Sequence, residues 1–250
     1  MSKVRMEEMS WKEVEEAIRK GKNTVIVPVG SIEQHGPHLP EGTDTFIGEV
    51  LGERIARILG NALVAPAIRP GCSQHHMDFP GTITIKPETL MKIVKEICIC
   101  LAKHGFKTIV LLPTHGGNFA PITAVLPEIS SELKDVRIVA LTDLKEFIDK
   151  MNEVMVKYGA SIKEAGSHAG ASETSIMLAL NEKLVRMDLA EKGFMGKYTR
   201  TKLYSLGLKA ISPNGIIGDP GKASKKAGKA IIESLAQHFA SKIKEEIKAC

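Results

Sequence analysis

Aromatic side chains make up only 4% of this 250-residue sequence, and Trp11 is the single tryptophan. Rows of stacking aromatics for single-stranded nucleic acid are therefore missing. Long apolar runs are missing too: none approaches the roughly 20 residues that a membrane-spanning helix needs. The opening stretch MSKVRMEEMSWKEVEE is charged and has no apolar signal core, so a cytoplasmic location is expected. Cysteine is sparse (Cys72, Cys98, Cys100 and Cys250), and no CxxC pair occurs, which argues against zinc-finger and dithiol chemistry. All four read as reduced packing residues, with Cys72 set apart because it lies in a chemically loaded loop. Excess charge of one sign is small, +5. The surplus lysines gather at 222–229 and at the C-terminal end, where they read as solvated helix faces. Neither a nucleic acid nor a membrane is expected as partner. Internal repeats and low-complexity stretches are absent.

What is present fits a single α/β domain over 1–250. Hydrophobic residues reach 43%, enough for a core, beside an ordinary 25% of charged ones. Short apolar runs alternate with amphipathic segments. Helices are predicted over 9–20 (Ser10 as N-cap), 46–59, 87–104, 118–133 and 223–248, with a further one beginning at 173–180. Strands are predicted over 24–29, 63–68, 107–112 and 136–141. Runs such as KTIVLL suit strands buried on both faces. Strands separated by helices imply right-handed crossovers and a mostly parallel sheet. Residues 187–220 are poorly patterned and read as a lid, an edge hairpin or an oligomer arm.

Open parallel sheets bind ligands beyond the carboxyl ends of their strands, and the polar clusters fall there. The first strand runs into Glu33 and His35, two apart, so an extended chain turns both to one side. A carboxylate and an imidazole on one face begin a divalent-metal site. Asp44 follows just before a helix, where it could bridge two ions. The second strand leads to Ser73, His75 and His76. The third ends at His115, followed by Gly116 and Gly117, which let backbone approach a ligand, and by Asn118, placed to open the next helix. Further on come His168, Ser172 as an N-cap and Glu173 in the first helical turn. Six of the eight histidines lie in these four loops. The other two read as structural, His104 as a C-cap and His238 as a surface residue.

These stretches resemble the creatininase (creatinine amidohydrolase) family: GSIEQHGPHLPEGTD (30–44), HHMDFPGTITI (75–85), THGGN (114–118), HAGASETS (168–175) and, less closely, NGIIGDPGKAS (214–224). The resemblance implies a three-layer α/β/α domain with a mostly parallel sheet, a homo-oligomer (often a hexamer) and two divalent ions, as zinc, manganese or iron. By the resemblance Glu33, Asp44 and His115 would hold one ion. His35 and Asp44 would hold the other, with Asp44 bridging. His168 and Glu173 would lie at the same site as ligand, proton shuttle or substrate contact. Water activated by the ions would attack the carbon of a small or cyclic amide. Ser73, His75, Gly116 and Gly117 would position that substrate.

Departures from the family pattern bear on the substrate. Gly117 stands where creatininase proper has a metal-binding glutamate, and Ala171 stands where many members have another. Pro113 and Thr114 precede His115 in place of an Asn-Gly pair. Glu164 aligns with a tryptophan that covers the creatinine ring, leaving Tyr198 and Tyr204 as possible substitutes. Beside amide hydrolysis stand two alternatives: deformylation of a formylaminopyrimidine ribotide, and a non-catalytic metal-binding protein on the same scaffold.

Overall fold

In the computed structural model, which describes residues 3–248, four parallel strands form one sheet in the order β2-β1-β3-β4. They are β1 (Thr24–Val29), β2 (Ala62–Val64), β3 (Thr108–Pro113) and β4 (Arg137–Ala140). β1 and β3 are buried along their whole length, as their unbroken apolar sequences require. Side chains alternate across the sheet. Val25, Val27, Val29, Ile109 and Leu111 face one apolar layer, and Ile26, Val110, Leu112 and Val139 face the other.

Helices cover both faces, giving the expected three layers. α1 (Trp11–Arg19), α3 (Pro87–Lys103) and α4 (Phe119–Glu132) pack on the first face. α2 (Thr43–Leu59), α5 (Leu144–Lys157), α7 (Ala171–Asn181) and α9 (Lys225–Lys248) pack on the second. Two short helices, α6 (Ile162–Ala165) and α8 (Arg200–Leu206), lie in the connections. Ser10 caps α1 through a reciprocal capping box with Glu13. No helix among the described residues is long and apolar enough to cross a membrane.

The structure departs from the sequence-based boundaries where local chemistry intervenes. β2 ends because Pro66 has no N–H to give the ladder: the Ala65 N–H still bonds Ile26 O, and the next bond to β1 comes from Ile68. α2 begins at Thr43, so Asp44 lies inside its first turn and not ahead of it. α7 is capped at Gly170, and the Ser172 hydroxyl donates to Asn152 Oδ1 at 2.9 Å instead of capping the helix. α5, unassigned in the sequence, is nucleated by Asp143, whose carboxylate accepts from the Glu146 N–H. His104 is the C-cap of α3 as expected. His238 is half-buried and within 2.9 Å of Glu146 Oε1, not a free surface residue. Cys72 and Cys98 are buried free thiols, Cys100 is exposed, and Cys250 lies outside the described residues.

Candidate metal centre

β1→β2 runs toward one edge of the sheet and β3→β4 toward the other, so the crevice opens above the paired ends of β1 and β3. Four loops and two helix N-termini converge there. Glu33 and His35 follow β1, and His115 follows β3. Asp44 and Glu173 project from the first turns of α2 and α7. His168 precedes α7 across Ala169, which holds a left-handed φ of 52°. That strained residue aims its N–H at Glu173 Oε2, 2.5 Å away.

Ligand atoms of Glu33, His35 and Asp44 lie within 4.8 Å of one another, as do those of His35, His168 and Glu173. His115 Nδ1 is 3.0 Å from Glu33 and 3.2 Å from Asp44. His35 Nε2 is 3.4 Å from Asp44 and 3.9 Å from Glu173. The far nitrogen of each imidazole is held by a main-chain carbonyl: His35 Nδ1 by Glu33 O at 3.0 Å, His115 Nε2 by Cys72 O at 3.1 Å. Carbonyl anchoring of this kind turns the opposite nitrogen toward a cation. Ser31 Oγ donates to Asp44 Oδ2 at 2.7 Å and fixes that carboxylate.

Glu33, Asp44 and Glu173 are buried, and no lysine or arginine pairs with them among the described residues. Among the described residues, histidines are the only side chains within ion-pairing distance that could carry positive charge beside them. Glu33 Oε2 and His35 Nε2 are fully buried without a hydrogen-bond partner among the described residues. Three buried carboxylates, one with an orphaned oxygen, are costly unless a cation completes them. The donor set, carboxylate oxygens and imidazole nitrogens, fits a divalent transition ion.

The electrostatics agree. Burial disfavours charge on His35, but Asp44, Glu173 and Glu33 outweigh it and raise its pKa to about 10. His115 is likewise raised, burial being overcome by Glu33 and Asp44. Asp44 lies well below the usual carboxylate range: burial opposes this, and His35 and His115 prevail. Glu173 is pushed up to about 7, first by burial and then by Asp44 and Glu33, against the pull of His35. His168 is driven well below its ordinary value by burial and by His35, and is neutral. Protons on His35 and His115 thus take the charge-balancing role that a divalent ion would fill.

The centre opens into a cavity of about 380 Å³ walled by His75, Gly116, Tyr198, Arg200 and Tyr204 among others. Residues of the 187–220 segment, Leu203 and Leu208 among them, supply part of its wall. Leu208 N–H donates to His75 O at 2.7 Å, and the Tyr198 and Ser167 hydroxyls are 3.1 Å apart. His75 lies at 4.8 Å from the Tyr204 ring and 5.7 Å from His115. Ser73 is different: fully buried behind His115, 3.3 Å from its Nε2, it supports the imidazole and does not line the cavity. Gly116 borders the cavity, whereas Gly117 borders a second, adjoining one. A Cβ on Gly117 would fall 2.1 Å from Cys72 O, so this backbone has no room for a glutamate there. Glu164 is spent in a capping box with Ser161.

His76 escaped sequence reasoning although its Nε2 comes within 3.5 Å of Glu33. The adjacent pair His75-His76 was the available signal, but nothing in it says which ring turns inward. Gln34, buried and bonded to both His76 and His168, carried no signal of its own.

Comparison with known proteins bears on this arrangement. The creatininase family model, described as creatinine amidohydrolase, matches residues 7–243. The mycofactocin precursor peptide peptidase of Mycolicibacterium smegmatis is 31% identical over 227 residues, covering 88% of this chain and 84% of that one. The creatinine amidohydrolase of Pseudomonas putida is 28% identical, covering 96% and 95%. A crystal structure of creatinine amidohydrolase superposes with a TM-score of 0.86 at 28% identity, covering 98% of each chain. Two similar solved creatininases, one described as Zn-Zn type and one as Mn, each give a TM-score of 0.84. The loops that build the centre therefore lie inside the matched region, and the chain belongs to the creatininase family.

Proposed function

We propose that this chain is a single-domain, divalent-metal-dependent amidohydrolase that cleaves an amide C–N bond with water. The carrying observation is the buried trio Glu33, Asp44 and Glu173, with orphaned atoms on Glu33 and His35 and no lysine or arginine among the described residues to balance it. Glu33, Asp44 and His115 would hold one ion, and His35, Asp44 and Glu173 the other, Glu173 supplying the ligand that Gly117 cannot. The solved relatives described by zinc and manganese support those two metals. When bound, the ions supply Lewis acidity, lowering the pKa of water and steadying the charge that develops on the amide oxygen.

The chain's own residues do the rest. His168, neutral and part-buried beside Glu33, takes up a proton and returns it to the leaving nitrogen. Glu173, raised to about 7 in the metal-free site, is the second group able to hold a proton where it is not bound to an ion. His75, Tyr204 and the Gly116 main chain form the wall against which the substrate lies. The homo-oligomer implied by the family resemblance, as a hexamer, belongs to the same proposal.

The substrate in this reading is a small or cyclic amide seated in the 380 Å³ cavity. A more extended, peptide-like amide is favoured by one further observation. A mostly apolar cavity of about 840 Å³ adjoins the first and shares His75, Gly116, Leu144, Arg200 and Tyr204 with it. A relative named as a precursor peptide peptidase gives that reading a precedent. Lys145 and Arg200 on the wall would suit a phosphate-bearing formylaminopyrimidine ribotide.

Metal analysis of the purified protein should give two divalent ions per chain. Assays on creatinine, the formylaminopyrimidine ribotide and short peptides should then find turnover on one of them. Asp44→Asn should lower kcat/KM by about 100-fold or more and reduce bound metal. One weakly held ion and no turnover on any of the three would favour the non-catalytic reading.

A further inference from the structure

We propose that Gln34 is a positioning residue that fixes His76 and His168 in tautomers presenting opposite faces to the centre, His76 a donor and His168 an acceptor.

Gln34 is 4% exposed and absent from the cavity wall, so it touches no substrate. Its amide cannot flip. Oε1 accepts from the Gly36 N–H at 2.9 Å, which directs Nε2 the other way. The close approach depends on Gly215, where a Cβ would lie 2.0 Å from that Oε1. Three groups then compete for the two hydrogens on Nε2: His76 Nδ1 at 2.9 Å, His168 Nε2 at 2.9 Å and Gly215 O at 3.3 Å.

One arrangement satisfies all of them. His168 Nε2 also lies 2.9 Å from Gln34 O, which has no other donor among the described residues. If His168 carries its proton on Nε2 and gives it to that carbonyl, both amide hydrogens are free for His76 Nδ1 and Gly215 O. Were His168 Nε2 to accept instead, the Gln34 carbonyl would be orphaned, together with either Gly215 O or His76 Nδ1. Buried polar groups are rarely left so.

The far sides of the two rings follow. His76 accepts at Nδ1, so its Nε2 carries a hydrogen and points it at Glu33 Oε1, 3.5 Å away. His168 donates at Nε2, so its Nδ1 offers a lone pair, 3.9 Å from the same oxygen. One amide thereby makes His76 a brace for a metal-binding carboxylate and leaves His168 able to receive a proton. The second role rests on the amidohydrolase reading, and the tautomers do not.

Long-range proton–nitrogen correlation on zinc-loaded, ring-labelled protein tests this. The signals are assigned by their loss in His76→Gln and His168→Gln. In the unsubstituted protein both rings should carry a single proton, on Nε2. In Gln34→Glu the carboxylate can only accept, so the His76 proton should move to Nδ1 while His168 keeps its own. On whichever amide is turned over, kcat should fall about 10- to 100-fold in Gln34→Glu with KM within about twofold. Protonated Nδ1 or zinc-bound Nε2 on His76 in the unsubstituted protein would overturn the assignment, whether or not any substrate is found and whether or not the variant folds. So would an unchanged His76 tautomer in Gln34→Glu.

Discussion

Asn118 holds the loops of the site in register. Its Oδ1 accepts from the Cys72 N–H at 2.9 Å, and its Nδ2 donates to Val29 O and Gly30 O at 3.2 and 2.8 Å. One buried amide thus ties the chain after β1 to the loop after β2 from the start of α4. Asn118→Ala should cost about 3 kcal/mol, because it strands buried partners without replacing them. Urea unfolding measures this, and a loss below about 1 kcal/mol would show that the tie is dispensable. Legibility in the sequence divides at this same scale. Glu33, His35 and His115 could be read because their chemistry is unusual for a packed core and each follows a strand. In the sequence Asn118 reads only as a helix opener, because sequence shows the element a residue begins but not the strands its side chain reaches. Gln34 and His76 stayed hidden for a like reason. Their partners, His168 and Glu33, lie 134 and 43 residues away.

At the scale of elements, the strands and the long helices were legible because each carries its own period, while α5 and α8 were not. α5 mixes charge with scattered apolar residues, and burial of Phe147, Met151 and Met155 against α9 completes it. α8 has no buried residue at all and depends on the loop around His75 for its place. The turn Gly116–Asn118 yields the sharpest prediction of this kind. Family resemblance alone suggests that Gly117→Glu would restore a missing ligand. The backbone says otherwise, since a Cβ there meets Cys72 O at 2.1 Å and His115 Nε2 at 2.6 Å. Gly117→Glu should therefore destabilise the protein by about 3 kcal/mol or more and add no bound zinc. Gly116→Ala is the control, since its Cβ would meet only Leu144 Cδ2 at 3.7 Å. It should stay within about 1 kcal/mol of the parent. Thermal melts with metal analysis separate the outcomes. A Gly117→Glu variant with parental stability and an extra zinc would refute this account of the turn.

For the whole molecule, the site couples folding to both metal and pH. In the metal-free protein His35 titrates near 10 against an ordinary 6.5, burial being outweighed by Asp44, Glu173 and Glu33, and His115 is raised in the same sense. Their contribution is complete below pH 6.5 and is lost as pH rises toward 10, because the unfolded chain has already released those protons. Glu173, raised to about 7 by burial, loses its own contribution as pH climbs from 4.5 through 7. His76 and His168, lowered by burial, act oppositely but only as pH falls below 6.5, so they are silent in the alkaline range. The metal-free protein should thus grow steadily less stable from pH 7 to 9. In the proposed metal-bound form a divalent ion would take the place of the protons on His35 and His115, so zinc binding at pH 7.5 should release about two protons per chain. Stabilisation by zinc must then increase with pH, by about 1.4 kcal/mol per unit for each proton displaced. Melting curves of zinc-loaded and chelator-treated protein should accordingly diverge by at least about 5 °C more at pH 9 than at pH 7. Calorimetry in buffers of different ionisation enthalpy counts the protons independently. A gap that stays constant or narrows, with no proton release, would mean that the buried carboxylates are balanced by something other than protons and metal.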